Sequence, residues 1–281
     1  MQPAVAALIV ASAFLHALWN ALLKRQRDPE SASIAILAVA LLVAAAALPL
    51  ARGPAFPVRS GLGWALAAGV CEGGYFVTLA LAFRAAPLGV VYTIARGGAL
   101  VAVWPISALW LGEAVTARSA GGAAVLALGL ALVGLDRGGR ASPRGVLWAA
   151  LCAAFIAGYH LCYKCALATG AAPTGVFTAS LAVALSVNVV RLGRSGMDRS
   201  LAALRSSPLV LAAAGLLCAA SFLVFLEALA RGGVGAAATL RNTSVLFALA
   251  IAWALGERPG RPQVLGTAGV ALGAVLIGWP T

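Results

Sequence analysis

The chain has 281 residues, of which 62% are hydrophobic and 10% charged, and its mean hydropathy is +0.99. Soluble domains are about 45–50% apolar and about 25% charged, so this composition excludes a water-soluble globular protein. The net charge of +12 comes from basic residues scattered through loops rather than clustered for nucleic-acid binding. We therefore expect an all-α integral membrane protein whose basic residues set its topology.

Apolar runs of about 20 residues, long enough to span a bilayer as a helix, recur along the whole chain. Breaks at glycine, proline and charged residues divide these runs and predict ten transmembrane helices. The first five cover residues 3–23, 33–50, 62–83, 88–111 and 119–135. The second five cover residues 145–167, 173–190, 208–230, 235–255 and 264–279. No basic segment precedes the first run, so we expect it to be retained rather than cleaved as a signal peptide.

Ten helices place both termini on one side of the membrane, and the basic residues of the loops indicate which side. Lysine and arginine number thirteen in the loops after the odd-numbered helices and five in the other loops. The thirteen are Lys24, Arg25, Arg27, Arg84, Arg137, Arg140, Arg144, Arg191, Arg194, Arg199, Arg205, Arg258 and Arg261, and the five are Arg52, Arg59, Arg118, Lys164 and Arg231. Because basic loops stay in the cytoplasm, the count predicts that both termini lie outside.

The two halves of the sequence match each other at a nearly constant offset. The dipeptide Gly-Glu at 112–113 recurs 144 residues later, at 256–257. Other matches are Lys24 with Lys164, Cys71 with Cys218 and Arg84 with Arg231. Each half, residues 1–140 and 141–281, holds five predicted helices, and an odd number makes the second half enter the membrane from the opposite face. We therefore expect two inverted five-helix repeats, an organisation typical of alternating-access carriers that bind substrate near the midplane.

The chain also resembles a known family. The segment His-Ala-Leu-Trp-Asn at 16–20, followed by Lys24, and the Gly-Glu dipeptides after the fourth and ninth helices are similar to the EamA type of the drug/metabolite transporter (DMT) superfamily. The resemblance covers essentially the whole chain. It implies a multi-pass protein of a bacterial-type inner membrane that exports amino acids or related small metabolites, by secondary-active or facilitated transport. It also implies cytoplasmic termini, whereas the charge count places them outside.

Four charged residues within predicted helices are candidate substrate-binding residues, because a mid-helix charge costs about 2.5–3.5 kcal/mol and faces a cavity or a partner. Arg96 and Arg241 lie on helices that enter from opposite faces, and together they suit a substrate carboxylate. Glu72 and Glu227 suit a substrate ammonium or a coupling proton. Fixed ion pairs between these acids and the arginines are the alternative that the sequence leaves open.

Polar and aromatic residues on the same helices complete the predicted pocket. They are His16, Trp19 and Asn20 in the first helix, Tyr75 in the third, Tyr92 in the fourth, Tyr159, His160 and Tyr163 in the sixth, and Asn242 in the ninth. Aromatic faces offer cation–π contacts of about 0.5–2 kcal/mol, and hydrogen bonding between packed helices is the alternative for the histidines and Asn20. Pro105 breaks a backbone hydrogen bond within the fourth helix and is a predicted hinge.

Two other functions remain open at this point. A nucleotide-sugar or phosphate-ester carrier of the same superfamily also suits the arginines. An intramembrane enzyme acting on a lipid-linked substrate would need clustered acids, bases or metal ligands, and the sequence has two histidines and no HExxH motif. The CxxC pair Cys162 and Cys165 lies inside a predicted span and is expected to serve packing. We expect no catalytic residue, cofactor, metal or nucleic-acid partner, and the sequence does not indicate an oligomeric state.

Overall fold

The computed structural model describes residues 3–51, 53–110, 115–134, 142–231 and 241–278. Within these ranges the chain forms ten α-helices and one short 3₁₀ turn, Leu48–Leu50, which confirms the predicted all-α class. The first five helices are α1 (Pro3–Lys24), α2 (Pro29–Ala47), α3 (Arg59–Ala85), α4 (Leu88–Trp110) and α5 (Ala117–Gly134). The second five are α6 (Pro143–Ala168), α7 (Pro173–Ser206), α8 (Pro208–Arg231), α9 (Ser244–Ala254) and α10 (Arg261–Gly278).

Eight of the helices in these ranges, α1 to α8, are long and apolar enough to cross a membrane. The described parts of α9 and α10 are apolar but shorter. The ninth helix was predicted to begin at 235, and this position lies outside the described residues, as do the predicted ends at 111, 135 and 279. Most other ends agree with the prediction within a few residues, because apolar runs stop where charged or turn-forming residues begin.

The end of α7 was predicted wrongly. The predicted span ends at 190 and leaves residues 191–207 as a loop, but α7 extends to Ser206. The helix breaks at Gly193, where φ is 61° and ψ is −161°, a conformation that glycine adopts without steric cost. Beyond the break the chain is helical again and carries Arg194, Asp198, Arg199 and Arg205. Such a charged helical segment after a span suits the membrane–water interface rather than the hydrocarbon.

Small residues allow close contact between α5 and α10. A Cβ atom added to Gly129 would lie 2.6 Å from the carbonyl oxygen of Gly266. One added to Gly273 would lie 2.5 Å from the carbonyl oxygen of Gly122. Membrane helices associate through such close backbone packing because lipid provides no hydrophobic effect between them.

Helix contacts repeat between the two halves of the chain. Helix α1 packs on α8 and α9, and its counterpart α6 packs on α3 and α4. Helix α2 contacts α8, and its counterpart α7 contacts α3. Each of these contacts of α1 and α2 therefore has an equivalent contact made by the helix five places later in the chain. This correspondence supports the predicted repeats of 1–140 and 141–281, which stay a prediction.

Side chains close one end of the bundle. This end, called the basic face below, comprises residues 24–30, 84–89, 142–144, 191–208 and 255–261. Lys24 donates hydrogen bonds to the carbonyl oxygens of Phe83 and Ala86. Glu30 pairs with Arg84 at 2.6 Å and with Arg191 at 2.5 Å. Glu257 accepts from the backbone N–H groups of Leu88 and Gly89 at 2.8 and 3.3 Å.

The other end of the bundle, the opposite face, comprises residues 48–58 and 169–173. The backbone N–H of Ala172 donates to the carbonyl oxygen of Ala55 there, at 3.0 Å. Because α1 ends at the basic face and α10 begins there, the first residue of α1 and the last of α10 lie at the opposite face. Both ends of the described chain therefore share one side, as an even number of spans requires.

Candidate functional site

A cavity lies between α4, α6, α8 and the residues Arg241 and Asn242, which come shortly before α9. It is lined by Arg96, Ala99, Leu100, Val103, Ile156, His160, Leu161, Lys164, Phe225, Leu229, Arg241 and Asn242. Lys164 lies four residues before the end of α6 and Leu229 two before the end of α8, so the cavity extends from the middle of the bundle toward the opposite face. Its volume is about 60 Å³. Ligand pockets usually measure about 300–1,000 Å³, so side chains or helices must move apart to admit a metabolite.

In the described part of the chain, the groups that hold Arg241 at this cavity are neutral. Its Nη1 donates to Ser12 Oγ at 2.9 Å and to the carbonyl oxygen of Ser221 at 3.1 Å. Its Cζ lies 4.0 Å from the ring centroid of Phe225 and 5.0 Å from that of Phe222. The side chain is 2% exposed. These contacts fix the guanidinium in place, and none of them supplies a negative charge.

His16 supports Arg241 as a hydrogen-bond acceptor. Nη2 of Arg241 lies 3.1 Å from His16 Nδ1, and Trp19 Nε1 lies 3.3 Å from the same atom. Both partners can only donate, so Nδ1 must accept and the proton of the neutral ring must lie on Nε2. His16 and Trp19 are fully buried. His16 and Trp19 therefore position Arg241 from the side away from the cavity and do not line the cavity themselves.

Arg96 is less firmly held than Arg241. It lies on α4 with its Cζ 5.9 Å from the ring centroid of Tyr92, one turn earlier, and it is 4% exposed. Among the described residues neither Arg96 nor Arg241 has a carboxylate oxygen within 4 Å. The predicted ion pairs with Glu72 or Glu227 are therefore not formed in this part of the chain.

Several buried polar atoms at or beside the cavity have no hydrogen-bond partner within the described ranges. They are Arg96 Nη2, Arg241 Nε, Tyr159 Oη and His160 Nε2. A buried polar group without a partner costs about 1–3 kcal/mol, and such a cost is tolerated where a ligand or water completes the bonding. These atoms therefore have hydrogen-bonding capacity that is free in the described part of the chain.

The two intramembrane acids do not join the arginines. Glu72 is fully buried, and its Oε2 accepts from the hydroxyl of Tyr163 at 3.0 Å, away from the cavity lining. Glu227 lines a separate cavity at the opposite face, between the end of α2 and the start of α7. A substrate ammonium group bound in the cavity beside the arginines therefore contacts neither Glu72 nor Glu227, the two carboxylates predicted to bind it.

The predicted aromatic residues form one connected cluster beside the cavity. The ring centroid of Tyr159 lies 4.6 Å from that of His160, 5.4 Å from Tyr163 and 5.7 Å from Tyr75. Only His160 of this group lines the cavity itself. Asn20 is buried and donates to the carbonyl oxygen of His16 in its own helix, at 2.8 Å. Pro105 lies in α4 beyond the cavity residue Val103, and its role as a hinge stays a prediction.

The residues that hold Arg241 and those that form the apolar wall were not predicted from the sequence. Ser12 and Ser221 bond Arg241, and Phe225 lies against it. The spacing of Ser12 to His16, one helical turn, was the available signal. No sequence signal marked the apolar wall, which consists of Leu100, Val103, Ile156 and Leu229, because aliphatic residues occur throughout every span of this chain.

Comparisons with known proteins found one family for the second half of the chain. Residues 143–279 match the model of the EamA-like transporter family, so this part of the chain is similar to an EamA-like transporter domain. No curated protein matches the chain. Solved structures that match include 23 chains, and one crystal structure among them has a TM-score of 0.66 over 98% of both chains at 20% identity. That likeness shows a shared fold.

Proposed function

We propose that this chain, a multi-pass membrane protein with an EamA-like transporter domain, exports amino acids or related small carboxylates by alternating access. The substrate carboxylate binds between Arg96 and Arg241, and its apolar part lies against the aliphatic wall of the cavity. The observation that carries the proposal is the pair of buried guanidinium groups at one cavity without a carboxylate partner in the described residues.

Charge and shape both favour an organic anion. Burial of an uncompensated charge is costly, and an anionic ligand removes that cost at the moment of binding. The planar guanidinium forms two parallel hydrogen bonds with a carboxylate, a geometry that ammonium groups do not provide. The wall of Leu100, Ile156 and Phe225 is apolar, so the favoured anion carries an apolar group.

The two ends of the bundle support alternating access. Lys24, Glu30 and Glu257 close the basic face through the contacts described above, whereas the cavity extends toward the opposite face. By the positive-inside rule the basic face is cytoplasmic. The structure then corresponds to an outward-facing state, since the cavity extends toward the other side of the membrane. The repeated helix contacts fit inverted repeats, in which the equivalent contacts at the opposite face, related by a pseudo-two-fold axis, form when the basic face opens.

A phosphate ester is the second candidate substrate. Among the described residues that line the cavity, none is an aspartate or glutamate, so the amino group of an amino acid finds no carboxylate among them. Phosphate carries more negative charge than a carboxylate and suits two arginines equally well. A nucleotide sugar or another phosphate ester is therefore the alternative to an amino acid.

Uptake into proteoliposomes distinguishes the candidates. The purified chain is reconstituted, and the uptake of labelled leucine, its decarboxylated amine isopentylamine and a sugar nucleotide is compared. We expect saturable leucine uptake and no amine uptake, because only the carboxylate engages the arginines. Saturable uptake of the sugar nucleotide without leucine uptake would favour the phosphate-ester carrier. Uptake of amine and leucine at equal rates would contradict recognition of the carboxylate.

A further inference from the structure

Glu72 lies at the centre of the membrane-spanning bundle. It is thirteen residues from each end of α3, Arg59 and Ala85, which is about 20 Å from either helix end at 1.5 Å per residue. The side chain is fully buried. Oε2 accepts a hydrogen bond from Tyr163 of α6, and Oε1 has no partner among the described residues.

The neighbours of Glu72 come from the other half of the chain. The hydroxyl of Tyr163 also lies 2.9 Å from Ser180 Oγ, which is on α7. Glycines of α3 bring α7 close at this level: a Cβ added to Gly69 would lie 2.6 Å from the carbonyl oxygen of Ser180, and one added to Gly73 would lie 2.9 Å from Val187. The close contact of α3 with α7 therefore packs protein atoms beside Glu72, which is fully buried.

No positive charge within ion-pair distance balances Glu72 in the described part of the chain. The titratable groups that face Glu72 are Tyr159 and Tyr163 of α6 and Cys218 of α8. Arg241 interacts with Glu72 electrostatically but lies beyond ion-pair distance. Helix α7 contributes the Ser180 hydroxyl. Helices α1, α2 and α4 place no lysine or arginine within 4 Å of it. An ionised carboxylate here would be a buried charge without a counterion, which is strongly disfavoured.

We infer that Glu72 is a proton-binding site, separate from the substrate cavity, that couples transport to a proton gradient. The geometry assigns the proton to the carboxyl group of Glu72 in the state seen here, with the basic face closed. When α3 separates from α6 and α7, water reaches the group, and the carboxylic acid releases H⁺ to become a carboxylate. One proton then moves toward the basic face for each substrate molecule exported. This inference rests on the proposed function only for its coupling step.

The structure also distinguishes Glu72 from the other intramembrane acid. Glu227 lies four residues before the end of α8, is only partly buried and lines an open cavity at the opposite face. Glu72 is sealed between the two halves. The Glu227→Gln variant therefore makes the same chemical change at a site that we expect not to couple transport.

Infrared spectroscopy of the reconstituted chain tests proton binding without any substrate. A protonated carboxylic acid has a carbonyl stretch that is resolved from the carboxylate bands. We expect this band at neutral pH in the wild type and in Glu227→Gln, its loss in Glu72→Gln, and a frequency shift in Tyr163→Phe, which lacks the hydrogen bond to Oε2. An unchanged band in a folded Glu72→Gln variant, or no such band in the wild type, would overturn the inference.

Leucine flux in proteoliposomes tests the coupling step. The membrane potential is clamped, and the vesicle interior is made one pH unit more acidic than the medium, a difference that drives about a tenfold accumulation in one-for-one proton exchange. We expect this accumulation in the wild type and in Glu227→Gln. Glu72→Gln should lose it but retain exchange of internal for external leucine.

Equal gradient-driven accumulation by Glu72→Gln and the wild type would refute coupling through Glu72, as would exchange without accumulation in the wild type. If no variant exchanges leucine, the proposed substrate is wrong, and the infrared band still decides whether Glu72 binds a proton. The two proposals therefore fail separately.

Discussion

The guanidinium of Arg241 lies 4.0 Å from the ring centroid of Phe225. This contact places a positive charge over an aromatic face in a dehydrated site, where a cation–π interaction contributes up to about 2 kcal/mol. Because the hydrogen-bond partners of Arg241 are also uncharged, the charge is stabilised without being neutralised. An arginine held in this way remains available to an anion.

Phe225→Leu should weaken substrate binding, because leucine keeps the apolar volume but lacks the aromatic face. Loss of about 0.5–2 kcal/mol corresponds to a roughly two- to thirtyfold higher Michaelis constant for leucine uptake. Phe14→Leu is the matched control, since Phe14 is 43% exposed on α1 and should leave uptake unchanged. Equal effects of both substitutions would show that the Phe225 ring does not support Arg241.

Gly129→Ala should destabilise the α5–α10 pair. The added methyl group would lie 2.6 Å from the carbonyl oxygen of Gly266, so the two helices must move apart, at a cost of about 1–3 kcal/mol. Gly121 is on the same helix and a Cβ there meets nothing within 4 Å. Thermal unfolding in detergent should show a lower Tm for Gly129→Ala and no loss for Gly121→Ala. A Tm of Gly129→Ala equal to that of the wild type would contradict this packing.

Asp28 should make stability depend on pH in the acid range. Burial alone would raise its pKa, but hydrogen bonds from Ser31 and the nearby Arg199 guanidinium lower the pKa below its ordinary value. A carboxyl group whose pKa is lower in the folded state stabilises the fold above its unfolded pKa, about 3.9. That contribution is lost as pH falls through the folded pKa.

The Asp28→Ala variant measures this contribution. Asp28 caps the start of α2 by accepting from the backbone N–H of Ser31, and loss of such a cap costs about 0.5–2 kcal/mol. At neutral pH the variant should therefore have a lower Tm than the wild type, and the difference should shrink below about pH 4. Asp28→Asn keeps a capping oxygen and should lose less. A Tm difference independent of pH would exclude the role of the Asp28 charge.

The charge distribution predicts the orientation of the chain. Both ends of the described helices lie at the opposite face, so alkaline phosphatase fused to the C-terminus should be active outside the cytoplasm, and a fluorescent protein fused there should be dark. Fluorescence with inactive phosphatase would reverse the orientation and favour the cytoplasmic termini that the family resemblance implies.

The sequence predicted where the helices lie along the chain better than it predicted which neighbour each helix face contacts. Apolar length and glycine or proline breaks determine where a span begins, but the end of α7 depended on Gly193, which allows a charged segment to resume a helix. Arg96, His160, Arg241 and Asn242 were predicted together and line one cavity. Charge within a span is a local signal, so it can be recognised without knowledge of the packing.

Glu72 shows what the sequence could not predict. Its charge marked it as unusual, but the helical spacing with Tyr75 says only which face of α3 it occupies. Whether that face meets the cavity or the hydroxyl groups of Tyr163 and Ser180 depends on which helix packs there. Contacts between helices far apart in the chain follow from the fold as a whole.

The affinity of the chain for leucine, measured directly with labelled ligand on purified Arg96→Ala and Arg96→Lys variants, tests the central claim. A charge-assisted hydrogen bond contributes about 1.5–3 kcal/mol, so Arg96→Ala should bind leucine roughly ten- to a hundredfold more weakly. Arg96→Lys should bind with intermediate affinity because it keeps the charge without the planar fork. Arg118→Ala, at an exposed arginine of α5, should bind as the wild type does. Wild-type affinity in a folded Arg96→Ala variant would contradict the account.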